Sequence, residues 1–150
     1  MEKCIVYYES WQLQCCGEPF SVGERVEWSC TKPGKFKEAH GVKLDFVEEH
    51  HLGDTHVVSG TVTRILAERT EVPYTDEPII YELVDVIREE IQHADGWESE
   101  LKDDASTRRT FWGYIVELKD VTVVKTRNKW NKEYEGNKKR LPRRIFRRKS

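Results

Sequence analysis

The sequence predicts a mainly β fold: a small SH3-like or OB-like barrel with one helix and a flexible basic C-terminal tail. Three observations lead there. Runs rich in Val, Ile, Thr and Tyr recur between turns that carry glycine or proline. Only one stretch repeats its apolar residues at helical spacing. The charge is also divided along the chain. Residues 125–150 hold 12 basic and 2 acidic side chains, a net of +10, whereas residues 1–124 hold 13 basic and 25 acidic, a net of −12. A chain of 150 residues is long enough for one domain and an extension. The division falls at 1–124 for the β-rich domain and 125–150 for the tail.

Each element has its own warrant. Lys3 to Tyr8 has the Ile, Val and Tyr content of a strand, and Gly17-Glu18-Pro19 marks a turn. Phe20 to Trp28 passes through Gly23 into alternating Val26 and Trp28, with Glu27 between them. That is the pattern of a half-buried strand whose Val26 and Trp28 face the core. Thr31 to Gly41, with Pro33 and two glycines, reads as a loop. His56 to Leu66 is β-branched and reads as a strand, with Gly60 marking a bulge or a close backbone approach. Ile79, Leu83, Ile87 and Ile91 recur every four residues, opposite Glu89-Glu90, with Asp76 and Pro78 at the start. This piece is read as the helix. Its β-branched content and the alternation of Ile79, Tyr81 and Leu83 fit a strand as well. Gly96 to Arg109 is polar and reads as a mobile loop. Phe111 to Val124 is the strongest β segment, either a hairpin turning at Lys119-Asp120 or one long strand bent there.

Several classes of function lack their marks. No run approaches the ~18 apolar residues of a membrane span. The first eight residues show no cationic start followed by an apolar run, so no signal peptide is expected and the setting is cytoplasmic. Four cysteines there are thiols or metal ligands, not staples. A phosphate-cradling P-loop, a dinucleotide fingerprint and an H-E-x-x-H helix are all missing, and no pair of carboxylates is singled out as acid and base. An enzyme is therefore the less favoured class.

Two doublets carry the candidate chemistry: Cys15-Cys16 before Gly17, and His50-His51 after Glu48-Glu49. Zinc takes four ligands drawn from thiolate and imidazole, and Cys15, Cys16, Cys30, His50 and His51 supply enough of them, with His40 and His56 nearby in sequence. Their spacing is not that of the usual knuckle, because adjacent cysteines in an extended chain point to opposite sides. The plainer alternative packs one cysteine of the pair into the core and leaves the other at the surface, with the histidines flanking a loop. A third reading makes a cysteine the nucleophile and a histidine its base, oriented by Glu48 or Glu49.

The tail has a different chemistry. Lys138, Lys139 and Arg140, then Arg143 and Arg144, then Arg147, Arg148 and Lys149 form three basic clusters, interleaved with Trp130, Tyr134 and Phe146. Arginine binds phosphate while aromatic rings stack on unpaired bases, so nucleic acid or another polyanion is the expected partner. A purely solubilising extension has the same composition.

The run from Trp11 to Trp28, with its W-Q-x-x-C-C-G-x-P-F-x-V-G-x-x-V-x-W pattern, resembles the N-terminal signature of a bacterial family of small proteins of unknown function. Glu48-Glu49-His50-His51, Asp95-Gly96-Trp97-Glu98 and Gly113-Tyr114 resemble later landmarks of that family, over about residues 5–124. The resemblance supplies no catalytic residues, but both doublets belong to it and the basic tail does not. The expected function is a non-enzymatic binding module contacting nucleic acid through its tail. A zinc-binding protein is the alternative, and a cysteine-nucleophile enzyme is the third reading.

Overall fold

The computed structural model describes residues 2–34, 42–50, 55–72, 84–102 and 108–126. His40, His51, the first part of the expected helix through Leu83, and every named tail residue from Trp130 onward lie outside these. Alternation builds the first strand, β1 (Lys3–Glu9): Cys4, Val6 and Tyr8 are buried, while Ile5 and Tyr7 on the other face are half-covered. A short helix, α1 (Ser10–Cys16), follows. The chain then forms β2 (Phe20–Ser21), β3 (Arg25–Thr31), β4 (Phe46–Glu48), β5 (His56–Val72), β6 (Val84–Ile91), β7 (His93–Ala94), β8 (Leu101–Lys102) and β9 (Arg108–Lys125).

Strands β5, β3, β4, β1 and β9 are hydrogen-bonded in that order, and β9 pairs again with β5, so the sheet closes into a five-membered ring. Closure satisfies the edges that an open sheet would expose. The β1–β4 pairing is parallel, with Val6 opposite Phe46, and the other ring pairings are antiparallel. β6 extends the outer half of β5, β8 lies along the start of β9, and β2 with β7 makes a separate two-stranded sheet. Among the described residues no helix is long and apolar enough to cross a membrane.

The two long strands β5 and β9 keep one face inward only because their pairing slips at three places. Ser59 faces Thr122 and Thr61 faces Lys119, so β9 carries one extra residue there. Asp120 takes it up with φ 52°, and the inward set moves from Tyr114, Val116 and Leu118 to Val121 and Val123. Gly60 sits at this bulge, where a Cβ would come within 2.9 Å of the Lys119 carbonyl oxygen. Both readings of Gly60, bulge and close approach, therefore apply. A second slip at Thr63 moves the inward set of β5 from Val58 and Val62 to Ile65 and Ala67. The third lies between Glu68 and Arg69, which face Gly113 and Phe111, leaving Trp112 as the bulged residue.

Trp28 is buried, 9% exposed, and Val26 packs partly buried against the same core, as the β3 alternation requires. The Trp28 ring stands edge-on to Tyr8 at 5.1 Å and to Phe20 at 4.9 Å, and Tyr114 meets Phe20 at 6.0 Å. Such tilted pairs suit the ring quadrupoles. Phe111 to Val124 forms one long strand bent at Asp120, not a hairpin.

The expected position of the helix fails. Residues 84–91 form strand β6, and the helix lies instead at Ser10–Cys16. A spacing of four is a multiple of the strand period of two, so Ile87 and Ile91 share a face in either structure. Cross-strand pairs decide it. Arg69 Nη1 lies 3.1 Å from Glu89 Oε1, Arg88 Nε lies 3.4 Å from the buried Glu68 Oε2, and Arg64 pairs with Glu90. The polar segment after Gly96 is likewise not all loop, since β8 and the start of β9 fall within it.

Candidate functional site

The helix α1 carries the cysteine doublet and is tied through Gln12 to the segment that carries Glu49 and His50. Its Gln12 and Leu13 turn into the protein, and Gln12 Nε2 donates to Glu49 Oε2 at 3.0 Å, tying the helix to the segment after β4. Cys15 and Cys16 fall in its last turn. Both are exposed, with their Sγ atoms 2.7 Å apart. The reading that buries one of them is thereby overturned. A helix turns successive side chains by about 100°, not the 180° of an extended chain, so neighbours can share one exposed face.

Glu48 ends β4 and is 2% exposed. Its Oε1 meets His50 Nδ1, and its Oε2 is buried with no hydrogen-bond partner among the described residues. Burial pushes this carboxyl up from 4.5 to about 7, although the hydrogen bond and charge of His50 pull it down. Tyr8 is held above the usual phenol range by its own burial first and by the Glu48 charge second. The Cys16 thiol is raised chiefly by its contact with Cys15, then by partial desolvation, with Glu48 adding to both. Cys16, Tyr8, Glu48 and His50 thus form one electrostatic neighbourhood. Cys30 lies opposite Glu48 in the β3–β4 register but is fully buried in the core.

These positions bear unevenly on the sequence expectations. Glu48 is a carboxylate that meets the His50 ring, while Glu49 accepts from Gln12. Among the described residues, no group of three or more His, Cys, Asp or Glu side chains is placed to hold a metal ion. His56 belongs to the barrel, where its ring lies 5.3 Å from Phe46 and Thr55 Oγ1 lies 2.6 Å from its Nδ1.

A second feature was not foreseen: three tryptophans stand exposed among the described residues. Trp11 on α1 is 47% exposed, and its indole donates to Glu9 Oε2 at 2.9 Å. Trp97 is 69% exposed on a turn in which its backbone N–H donates to Asp95 Oδ1 at 2.8 Å. Gly96 of this turn donates its N–H to Tyr114 Oη at 2.9 Å and accepts from Gln14 Nε2 at 2.7 Å, and Tyr114 Oη donates to Glu98 Oε2. Trp112, 38% exposed, is thrown outward by the third bulge, and its indole donates to Thr70 Oγ1. Glu9 faces Gly113, so all three rings stand on pieces joined by hydrogen bonds at one end of β9.

The model of a family of unknown function, DUF6578, matches residues 2–120. The chain belongs to this family. The DUF6578 match takes in α1 with its thiols, Glu48 with His50, and all three exposed tryptophans, and it ends before the basic segment begins. No curated protein and no solved structure matches the chain. Within the DUF6578 region, the tryptophans had a readable signal in Asp95-Gly96-Trp97, which is the composition of an Asx turn. The bulge that exposes Trp112 had none, because it depends on how β5 and β9 pair.

Proposed function

We propose that this protein is a non-enzymatic binding module that takes single-stranded nucleic acid. Its basic segment would neutralise phosphate, and the tryptophan end of the barrel would stack bases. The observation that carries the reading is the exposure of Trp11, Trp97 and Trp112 on rigid supports. A large apolar ring costs free energy in water, so two indoles held there by hydrogen bonds and a third carried on a hydrogen-bonded turn suit a surface that is covered part of the time. Stacking on an aromatic ring contributes about 1–3 kcal/mol per base and tolerates any sequence. The acidic body, with a net of −12 over residues 1–124, repels phosphate on the whole, which favours the basic segment as the source of those contacts. Those contacts are assigned to Lys138, Lys139, Arg140, Arg143, Arg144, Arg147 and Arg148, with Trp130 and Tyr134 as further stacking surfaces.

A labelled single-stranded oligonucleotide titrated at low salt tests this. The full chain binds, a chain ending at Thr126 loses most of the affinity, and Trp97→Ala weakens binding about tenfold or more without changing the melting temperature. No binding by the full chain at low salt, or unchanged affinity in both variants, overturns the reading.

A further inference from the structure

We propose that Cys15 and Cys16 form a redox-active vicinal dithiol, which closes to an intramolecular disulfide by exchange with a low-molecular-weight disulfide and reopens on reduction. The geometry carries this. Both thiols lie exposed in the last turn of α1 with their sulfurs 2.7 Å apart, so little motion separates them from bonding distance. The chain's other two thiols, Cys4 and Cys30, are fully buried, and burial pushes the Cys4 thiol up to about 12. Exchange needs an accessible thiolate, so the chemistry is confined to the pair.

The same geometry makes the bond reversible. Adjacent Cα atoms are about 3.8 Å apart, below the roughly 4.4 Å at which ordinary disulfides begin. A disulfide between neighbours is therefore strained, and strained disulfides are the easily reduced ones that switch. It also closes no loop of chain and so adds no stability by constraining the unfolded state. The pair is suited to a switch and unsuited to a staple.

The exchange proceeds in two steps. The Cys15 thiolate attacks one sulfur of the small disulfide and expels the first thiolate, which leaves a mixed disulfide on Cys15. Cys16 then gives up its proton to solvent, attacks the Cys15 sulfur and expels the second thiolate. One disulfide bond breaks and one forms. The small disulfide is reduced to two thiols, and the chain loses two hydrogens with their electrons. The roles of the two cysteines can be exchanged without changing the balance.

The full chain is equilibrated in glutathione buffers from reducing to oxidising, quenched in acid, alkylated and weighed. At the oxidising end the wild-type chain is expected to lose the mass of two hydrogens and carry no adduct. The peptide bearing Cys15 and Cys16 then escapes alkylation, while Cys4 and Cys30 are alkylated once the chain is unfolded. Cys15→Ser and Cys16→Ser each carry one glutathione instead, because the second thiol is missing. A wild-type chain that keeps a glutathione adduct, links to a second copy, or is alkylated at both positions throughout overturns the proposal.

Discussion

Glu48 places a carboxyl group in the protein interior, where water does not solvate its charge. A carboxylate in β4 with one oxygen on His50 and the other buried has its proton affinity raised by desolvation, from 4.5 to about 7. Glu49 and Glu9 add to the rise, and His50 opposes it. Between those two values the folded chain holds a proton that the unfolded chain has released. Stability therefore falls as pH rises from about 4.5 to about 7, and it levels off above. The full loss is on the order of 3 kcal/mol. Glu48→Gln removes the titration, so urea unfolding at about pH 5 and about pH 8 should give stabilities that differ less than in the wild type. An unchanged difference would place the titration elsewhere. Nothing in the string Phe46-Val47-Glu48-Glu49 marks its first glutamate for burial. The cause is tertiary, since Glu48 lies across from Cys30 in a closed sheet.

The strands were legible wherever one face alternates, as at Lys3 to Tyr8 and at Val26 with Trp28, because burial of one sheet face writes itself into the sequence. Residues 84–91 were misread because an apolar spacing of four satisfies both periods, and the ion pairs to β5 that favour the strand join residues about 20 apart. The helix α1 was illegible for another reason. It is 7 residues long, without a side-chain cap, and most of its stability comes from burying Gln12 and Leu13. Its C-terminal end is also held tightly. A Cβ on Gly17 would lie 2.4 Å from Tyr8 Oη and 2.7 Å from Leu13 Cδ1. Gly17→Ala should therefore displace α1 from β1 and cost about 1–3 kcal/mol, read as a lowered melting temperature. A variant as stable as the wild type would show that the helix end yields freely.

At the scale of the whole molecule, the proposed function assigns phosphate contact and base stacking to two separate places. β9 ends at Lys125, opposite His56, and Thr126 N–H still donates to the Thr55 carbonyl at 3.0 Å. Trp112 lies near the other end of the same strand, about 40 Å away along its course. The basic residues that follow Thr126 therefore start from the end of the barrel remote from the exposed tryptophans. A segment of 24 residues spans at most about 80 Å when extended, which is reach enough for one strand of nucleic acid to meet both. That phosphate contact resides in the basic segment and not in the acidic barrel is the central claim. It is tested most directly by how affinity for single-stranded nucleic acid depends on salt. Each neutralised phosphate contributes about −0.7 to the slope of log affinity against log salt. The full chain should show a slope of about −4 or steeper, and the chain ending at Thr126 a slope near zero. Equal slopes for the two chains would contradict the account.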